Sequence, residues 1–385
     1  MPDKIDTPVI ILAGGMSGER DVSLMSADFV EAQLENICQY VGRINISQTG
    51  NWEPKHPVPY SHQDHHNHLL RTYGQFLTGK DIDPRDICLF PLLHGSFGED
   101  GCLQGLLAIS GLTYVGSGVL GSAIAMNKVV AKQLCQYAGI PTLPWLEVSP
   151  EDWENNQNKV LKSCHELIDH QQPLGSPPSW LVKPVSLGSS IGVTRAQTKG
   201  ELITSISQAF QYDSRIMVEE YLADRMEIES AVLGTPADFS ISEPCTVWHN
   251  PEINSYHDKY FSDSTLIELA SSLSEQSKAK LRTYTSTIFS LFRLFGLYRT
   301  DWFYCQSKDQ LYFNECNTIP GFGERSHFIR LWELSGKTTH DLFTTLLNLT
   351  INQTKQHTFN QLDLAYSHPR AAPKTKVNSH HVAIE

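Results

Sequence analysis

The feature that most restricts the fold lies near the start. There the apolar run Val9 to Leu12 meets the turn Ala13-Gly14-Gly15-Met16-Ser17-Gly18, and a helical pattern follows from about Val22 to Cys38. A short apolar run closed by glycines reads as a buried strand, so the order is strand, turn, helix. A second strand (Tyr40 to Ile46) and a third (Ile87 to Leu92), which runs into Leu93-His94-Gly95, extend the series. This predicts an α/β chain with an N-terminal open parallel sheet, whose ligands sit at the carboxyl ends of the strands.

With 385 residues the chain exceeds one ordinary core, so two or three domains sharing a cleft are expected. A net charge of −12 excludes general affinity for nucleic acid, and an anionic substrate then needs a local basic site. The eight cysteines are scattered without a CxxC pair, which predicts small core residues in a reducing compartment. Met1 to Pro8 is polar and lacks a secretory apolar stretch, so a cytoplasmic location is expected. Cys102 to Met126 carries no charge and is long enough to imitate a membrane span, yet five glycines and several hydroxyls interrupt it. It reads as a buried helix (Leu103 to Ser110), a short strand (Leu112 to Val115) and a turn (Gly116 to Gly118), with no membrane contact.

Residues 50 to 68 hold His62, His65, His66 and His68 in a polar run that reads as a solvated loop, because neither paired Cys nor a helical His spacing supports a metal site. Helices are expected from Asn127 to Gly139, Trp153 to His170 and Gly200 to Gln211. Strands Trp180 to Lys183 and Ile191 to Thr194 should flank the loop Val185 to Ser190. Domain boundaries are expected after residues 120, 216 and 350, and the tail 351–385 should be flexible, poorly ordered beyond Phe359.

Two strands near the C-terminal end carry the sharpest chemistry. Trp302 to Cys305 and Leu311 to Cys316 read as a hairpin; centred on Lys308, it sets Asp301 opposite Glu315 and Arg299 opposite Asn317. Alternation puts all four on one side, with Cys316 on the other. Hard oxygen donors in such a group suit magnesium or manganese bridging phosphates, whereas a structural salt bridge explains only Arg299 with Asp301. A one-residue slip would undo the grouping. The loop at Gly188-Ser189-Ser190 offers N–H groups and hydroxyls for a polyphosphate, with Lys183 as a nearby cation, although a plain hairpin turn is the commoner meaning. The turn Gly14 to Gly18 could likewise cradle an anion at a helix N-terminus.

The stretch Gly14-Gly15-Met16-Ser17-Gly18-Glu19-Arg20-Asp21-Val22-Ser23 resembles the opening signature of D-alanine–D-alanine ligases, members of the ATP-grasp superfamily. Leu93-His94-Gly95 with Gly98-Glu99-Asp100-Gly101, then Lys183-Pro184 with Gly188 to Val193, and Asn314-Glu315-Cys316-Asn317-Thr318-Ile319-Pro320-Gly321-Phe322 resemble that family's later blocks in the same order. The resemblance spans roughly residues 9 to 349. It implies a three-domain ATP-grasp architecture: an N-terminal substrate-binding domain, a central subdomain with the phosphate loop, and a C-terminal subdomain with the metal site.

By that resemblance Lys128 and Lys183 would contact ATP phosphates, Ser189 and Ser190 would close over them, Glu219, Glu220, Tyr221 and Leu222 would hold adenine, and Glu227 would take the ribose. Asp301, Glu315 and Asn317 would bind two magnesium or manganese ions. Glu19 would receive the ammonium of the first D-alanine, within a segment that includes Val22. A helix-start carboxylate favouring the dipole is the bland alternative for Glu19. His94 and Glu99 would support the first substrate, Ser326 would bind the carboxylate of the second, and Val22 and His327 would be substrate-binding as well. Lys259 would reach phosphate and Tyr260 would bond Ser189 and Glu19 from a mobile loop; a tyrosine there favours an amine as second substrate. Arg299 would stabilise the oxyanion.

The implied reaction joins two D-alanine molecules through a D-alanyl phosphate, for peptidoglycan synthesis, and a homodimer is implied. The same fold making D-alanyl-D-lactate or D-alanyl-D-serine is the near alternative. A nucleotide-binding protein without catalysis is disfavoured by the full residue set. A dinucleotide-dependent oxidoreductase is disfavoured because the turn lacks GxGxxG and Ile46-Ser47-Gln48 lacks a ribose-binding acid. Asn127 in place of a common Asp, Gly323 in place of a frequent Thr, an extra residue within Ala223 to Glu227, and Arg325-Ser326-His327 depart from the family pattern.

Overall fold

The computed structural model describes residues 4–59, 65–168, 179–249 and 265–366. Its first part runs β1 (Val9–Gly14), α1 (Arg20–Ile37), β2 (Val41–Ile46), β3 (Trp52–Pro54), α2 (His66–Thr78), β4 (Cys88–Pro91), α3 (Cys102–Ile109) and β5 (Thr113–Tyr114). These strands form one sheet in the order β3-β2-β1-β4-β5, parallel except where β3 returns against β2. The expected open parallel sheet is therefore present. Strand β1 is buried along its whole length, as its unbroken apolar sequence requires of a strand covered on both faces.

The chain continues with α4 (Val119–Met126), α5 (Lys128–Tyr137), β6 (Trp145–Val148), α6 (Pro150–Glu166), β7 (Trp180–Pro184), β8 (Thr194–Ala196), α7 (Lys199–Ala209) and β9 (Ile216–Glu220). The four strands make an antiparallel sheet in the order β6-β9-β7-β8. Local caps set the helix starts: Ser149 accepts the Asp152 N–H ahead of Pro150, and Asn127 accepts the Val130 N–H. Asn127 thus does the capping work that an Asp would do.

The third part comprises β10 (Arg225–Thr235), β11 (Asp238–Ile241), β12 (Cys245–His249), β13 (Thr265–Leu269), α8 (Glu275–Leu291), β14 (Gly296–Cys305), β15 (Gln310–Asn317), α9 (His327–Leu334) and α10 (Thr339–Tyr366). Its antiparallel sheet has the order β13-β12-β10-β14-β15, with β11 on β10. Along β14 the even residues Tyr298, Trp302 and Tyr304 are buried in a core that includes Phe289 of α8, which leaves the odd residues Arg299, Asp301 and Phe303 on the opposite face. Full burial of a side chain of this size is worth roughly 1.5–3 kcal/mol. A slip of one residue would put Arg299 and Asp301 into that core, so aromatic burial fixes which face carries the charges.

Several expectations are corrected. Residues 50 to 68 are not one loop: they contain β3 and the start of α2, where His65 accepts the Asn67 N–H and His66 packs against Trp52. Local polarity hid an amphipathic helix that buries Leu69, Leu70 and Tyr73. His62 lies outside the described residues. Val119 to Met126, for which the sequence suggests no element, is helix α4. The strand expected at Ile191 to Thr194 begins only at Thr194, because the preceding residues form turns. Seven cysteines are buried as expected, but Cys102 is exposed at the start of α3. Strand β9 bonds to β6 and β7, so a boundary at 216/217 would part Met217 to Glu220 from their sheet, and one at 120/121 falls within α4. Helix α10 continues to Tyr366, past the Phe359 limit set for the tail. No helix among the described residues is long and apolar enough to cross a membrane.

Candidate active site

The four-residue face of the hairpin exists, and its register has an unexpected origin. Arg299 pairs with Asn317 and Asp301 with Glu315, yet nearer the turn Cys305 pairs with Gln310 and Trp302 with Phe313. The turn is therefore one residue tighter than a hairpin centred on Lys308. A bulge at Asn314 restores the register where it matters. The bulged residue is not idle: Asn314 Oδ1 accepts a hydrogen bond from Lys183 Nζ at 3.0 Å, tying β15 to β7 of the neighbouring sheet.

On that face Arg299 donates from Nε and Nη2 to both oxygens of Asp301, each at 2.7 Å, and Asn317 Nδ2 donates to Asp301 Oδ2 at 3.2 Å. Burial, reinforced by Glu229, raises Asp301 to about 7 against the pull of Arg299. Glu315 moves the other way. Burial alone would raise it, but Lys128, whose Nζ lies 3.3 Å from Oε2, together with Lys183 and Arg299, holds it below the usual range. Among the described residues no three His, Cys, Asp or Glu are grouped to hold a metal. Asp301, Glu315 and the amide oxygen of Asn317 are a partial, all-oxygen set, which fits magnesium because that ion normally completes its shell with water and phosphate oxygens.

Beside this face lies a buried ion triad. Glu219 of β9 is fully buried between Lys132 Nζ at 2.5 Å and Lys183 Nζ at 2.6 Å, and Lys132 also donates to the Phe313 carbonyl at 3.0 Å. Burial opposes ionisation of Glu219, but the two ammoniums hold its carboxyl below the ordinary range. Burial likewise pushes Lys183 down, against the attraction of Glu219. Lys132 escaped the sequence reading, although its spacing from Lys128 places both lysines on one face of α5. Lys128 donates to the Leu187 carbonyl at 2.6 Å, inside the loop that carries Ser189 and Ser190. Both serines have left-handed backbone angles, φ 52° and 57°.

The N-terminal sheet supplies the other wall. Glu19 is buried at the head of α1 and accepts the Ser189 hydroxyl. Burial raises its carboxyl, against the pull of Ser189 and Lys128. Ser17 donates to the His94 carbonyl at 2.7 Å, so the glycine turn is fastened to the end of β4. Glu99 accepts the N–H groups of Gly95 at 2.9 Å and Ile319 at 3.1 Å, and burial beside Glu19 pushes it up to about 8. Val22 is buried on α1. The structure thus brings Glu19, Ser189, Lys128 and Glu315 together from three sheets. Ser326 precedes α9 and accepts the Gly323 N–H at 2.7 Å, while His327 Nδ1 faces Glu229. Glu220 is buried, and burial raises it to about 7; Tyr221 lies between Arg195 and Arg225, and Leu222 packs on Phe303. Glu227 is half-buried on β10. Lys259 and Tyr260 lie outside the described residues. Glu229 was also missed, although strand alternation from Glu227 points to it.

Two expected results follow from this geometry. Gly95 has φ +71°, and a Cβ there would lie 2.1 Å from Glu19 Oε2. Gly95→Ala should displace that carboxylate and lower turnover by roughly 10²-fold, the scale of an ångström-level misplacement. Unchanged steady-state kinetics would contradict the contact. His94 Nδ1 donates to the Ile319 carbonyl at 2.9 Å, its Nε2 lies 3.5 Å from Ser26 Oγ, and burial lowers it to about 4. Neutral in the fold, it contributes stability that is complete above its unfolded value and is lost as pH falls from about 6.5 through 4, at most about 3 kcal/mol. The urea midpoint of wild type should therefore fall relative to His94→Gln on acidification over that window; a constant difference would contradict it.

Residues 8–117 match the family model described as D-ala D-ala ligase N-terminus, and residues 134–348 match D-ala D-ala ligase C-terminus. The D-alanine–D-alanine ligase of Enterococcus hirae is 35% identical over 360 residues, covering 90% of this chain and 97% of that protein. The one from Enterococcus faecalis is 34% identical, covering 90% and 99%. Among solved structures, the D-alanine-D-alanine ligase from Coxiella burnetii superposes with a TM-score of 0.71 at 28% identity over 94% of this chain and 100% of that one. The VanG D-Ala:D-Ser ligase from Enterococcus faecalis gives 0.70 at 26% identity over 90% and 99%.

Proposed function

Because the chain belongs to the D-alanine–D-alanine ligase family, we propose that it joins two D-alanine molecules into D-alanyl-D-alanine at the expense of ATP, through a D-alanyl phosphate, for peptidoglycan synthesis. The observation that carries this reading is the convergence of Glu19, Lys128, Ser189 and Glu315 at one point, with Arg299 and Asp301 beside it on the hairpin face. An ammonium acceptor, phosphate-binding cations and an oxyanion donor in one cleft are what carboxylate activation requires.

In this mechanism Glu19 takes the ammonium of the first D-alanine, so its carboxylate is presented toward Lys128, Lys183 and the loop at Ser189 and Ser190. A carboxylate oxygen attacks the γ-phosphorus of ATP, and ADP leaves. Asp301, Glu315 and Asn317 would hold magnesium or manganese, which supplies charge neutralisation on the phosphates. His94 and Glu99 fix the turn under the first substrate, and Arg299 stabilises the oxyanion when the second amine adds to the acyl carbon. Ser326 takes the carboxylate of the second D-alanine. Glu219 to Leu222 line the adenine, with Glu227 at the ribose. By the family resemblance Lys259 and Tyr260, which lie outside the described residues, would help to exclude water from the acyl phosphate.

A cytoplasmic setting and a homodimer belong to the same reading. Free cysteines support the first, and exposed Phe97, Leu106, Ile109 and Leu120 around α3 and α4 offer an apolar surface for the second. The similarity to a D-Ala:D-Ser ligase and the departures at Arg325 to His327 make the second substrate the point to test. ADP release should be measured with D-alanine, D-serine and D-lactate each offered as second substrate at neutral pH. D-alanine is expected to give the highest kcat/KM; turnover with D-lactate or D-serine but not D-alanine would overturn the assignment.

A further inference from the structure

Glu229 and His327 have no part in carboxylate activation, yet they are built into the site. Glu229 is buried on β10 directly across from Asp301. Both of its carboxylate oxygens lie 3.0 Å from His327 Nδ1, and Oε2 lies 3.4 Å from Arg299 Nε. His327 opens α9 immediately after Ser326, and its side chain keeps 23% exposure. One carboxylate thus links the residue next to the second-substrate position with the guanidinium at the reacting carbon. A carboxylate facing Nδ1 places the ring proton there and leaves the lone pair on Nε2, which has no hydrogen-bond partner among the described residues.

The chemistry needs a proton acceptor. The second amino acid arrives as an ammonium with no lone pair, and its conversion to an amide releases two protons. One leaves with the phosphate. Other groups in the cleft are unsuited to the second: Glu19 is committed to the first ammonium, and Glu99 holds two backbone N–H groups. Both ring nitrogens of His94 are engaged, and Asp301 and Glu315 belong to the metal set.

Resting on the ligase reading above, we propose that His327 accepts through Nε2 the proton lost by the second amino acid's ammonium, with Glu229 as the positioning residue that fixes the tautomer and balances the imidazolium. The ammonium N–H bond breaks as the Nε2–H bond forms, and the freed lone pair makes the C–N bond at the acyl carbon. The C–O bond to phosphate then breaks, and the remaining surplus proton goes to the departing phosphate. Of the charged groups near the imidazole, Glu229 bonds to the ring, Arg299 contacts the same carboxylate, and Arg325 and Arg330 flank His327 in the chain.

The test compares two nucleophiles on the same acyl phosphate in the full-length protein. Hydroxylamine is already neutral at pH 7 and needs no base, whereas D-alanine does. His327→Gln should lower the ratio of dipeptide to hydroxamate by about 10²-fold, the lower end of general-base contributions. Glu229→Gln should lower the same ratio, by less than His327→Gln and with hydroxamate formation near wild type, since it frees the ring's tautomer without removing the base. A ratio in His327→Gln within about threefold of wild type, far below the effect of a lost base, or an unchanged ratio in Glu229→Gln, would overturn the proposal. A wild-type protein that forms neither hydroxamate nor dipeptide would overturn the ligase reading itself, and the proposal with it.

Discussion

Asp301→Ala and Glu315→Ala should each cut D-alanine-dependent ADP formation by about 10³-fold or more, the scale of losing a preorganised charge-stabilising group at a phosphoryl-transfer site. The two carboxylates face each other across β14 and β15. Folding should survive both changes. In Asp301→Ala the guanidinium of Arg299 keeps Glu229 at 3.4 Å, and in Glu315→Ala the ammonium of Lys128 keeps the Leu187 carbonyl at 2.6 Å. Circular dichroism and the thermal midpoint should therefore stay near wild type while turnover disappears and excess magnesium fails to restore it. Retained turnover in either variant would remove the metal assignment.

Glu219→Gln should be the most destabilising single substitution in the cleft. It keeps the shape of the side chain but leaves two buried ammoniums, Lys132 and Lys183, facing a neutral amide. Removing one partner of a buried ion pair costs about 3–5 kcal/mol, and here one carboxylate serves two cations, so the loss should sit at the upper end of that range. Urea unfolding reads it directly. Adding Lys132→Met should recover part of the loss, because one stranded charge is removed together with its partner. A Glu219→Gln protein within about 1 kcal/mol of wild type, well under the cost of a broken buried pair, would mean that the triad is far better hydrated than its burial indicates.

Much of the fold was legible where pattern and punctuation agree. The run Val9 to Leu12 with its glycine turn announces β1, and α5 lies within the helical pattern expected from Asn127 to Gly139. Helix α2 was hidden because His66, Asn67 and His68 mask a stripe whose burial depends on Trp52 and β2, which are distant contacts. The hairpin face shows a subtler limit. Arg299 and Asp301 were brought opposite Asn317 and Glu315 from the right alternation and a turn one residue too long, and only the bulge at Asn314 makes the outcome agree. A bulge is a tertiary compromise, here stabilised by Lys183 on another sheet, and no local sequence rule announces it. Lys132 was passed over for a similar reason, since an apolar-flanked lysine reads as ordinary helix until Glu219 is placed beside it. Lys132 and Glu229, which contact Glu219 and Arg299, belong to none of the motifs quoted from the sequence.

In the proposed reaction the carboxylate of one D-alanine is activated by phosphate before a second amine attacks. Carboxyl-18O D-alanine tests it most directly. During ligation the attacking carboxylate oxygen should depart with phosphorus, so mass spectrometry of the inorganic phosphate should find one labelled oxygen per dipeptide formed. Unlabelled phosphate accompanying the dipeptide would contradict the account.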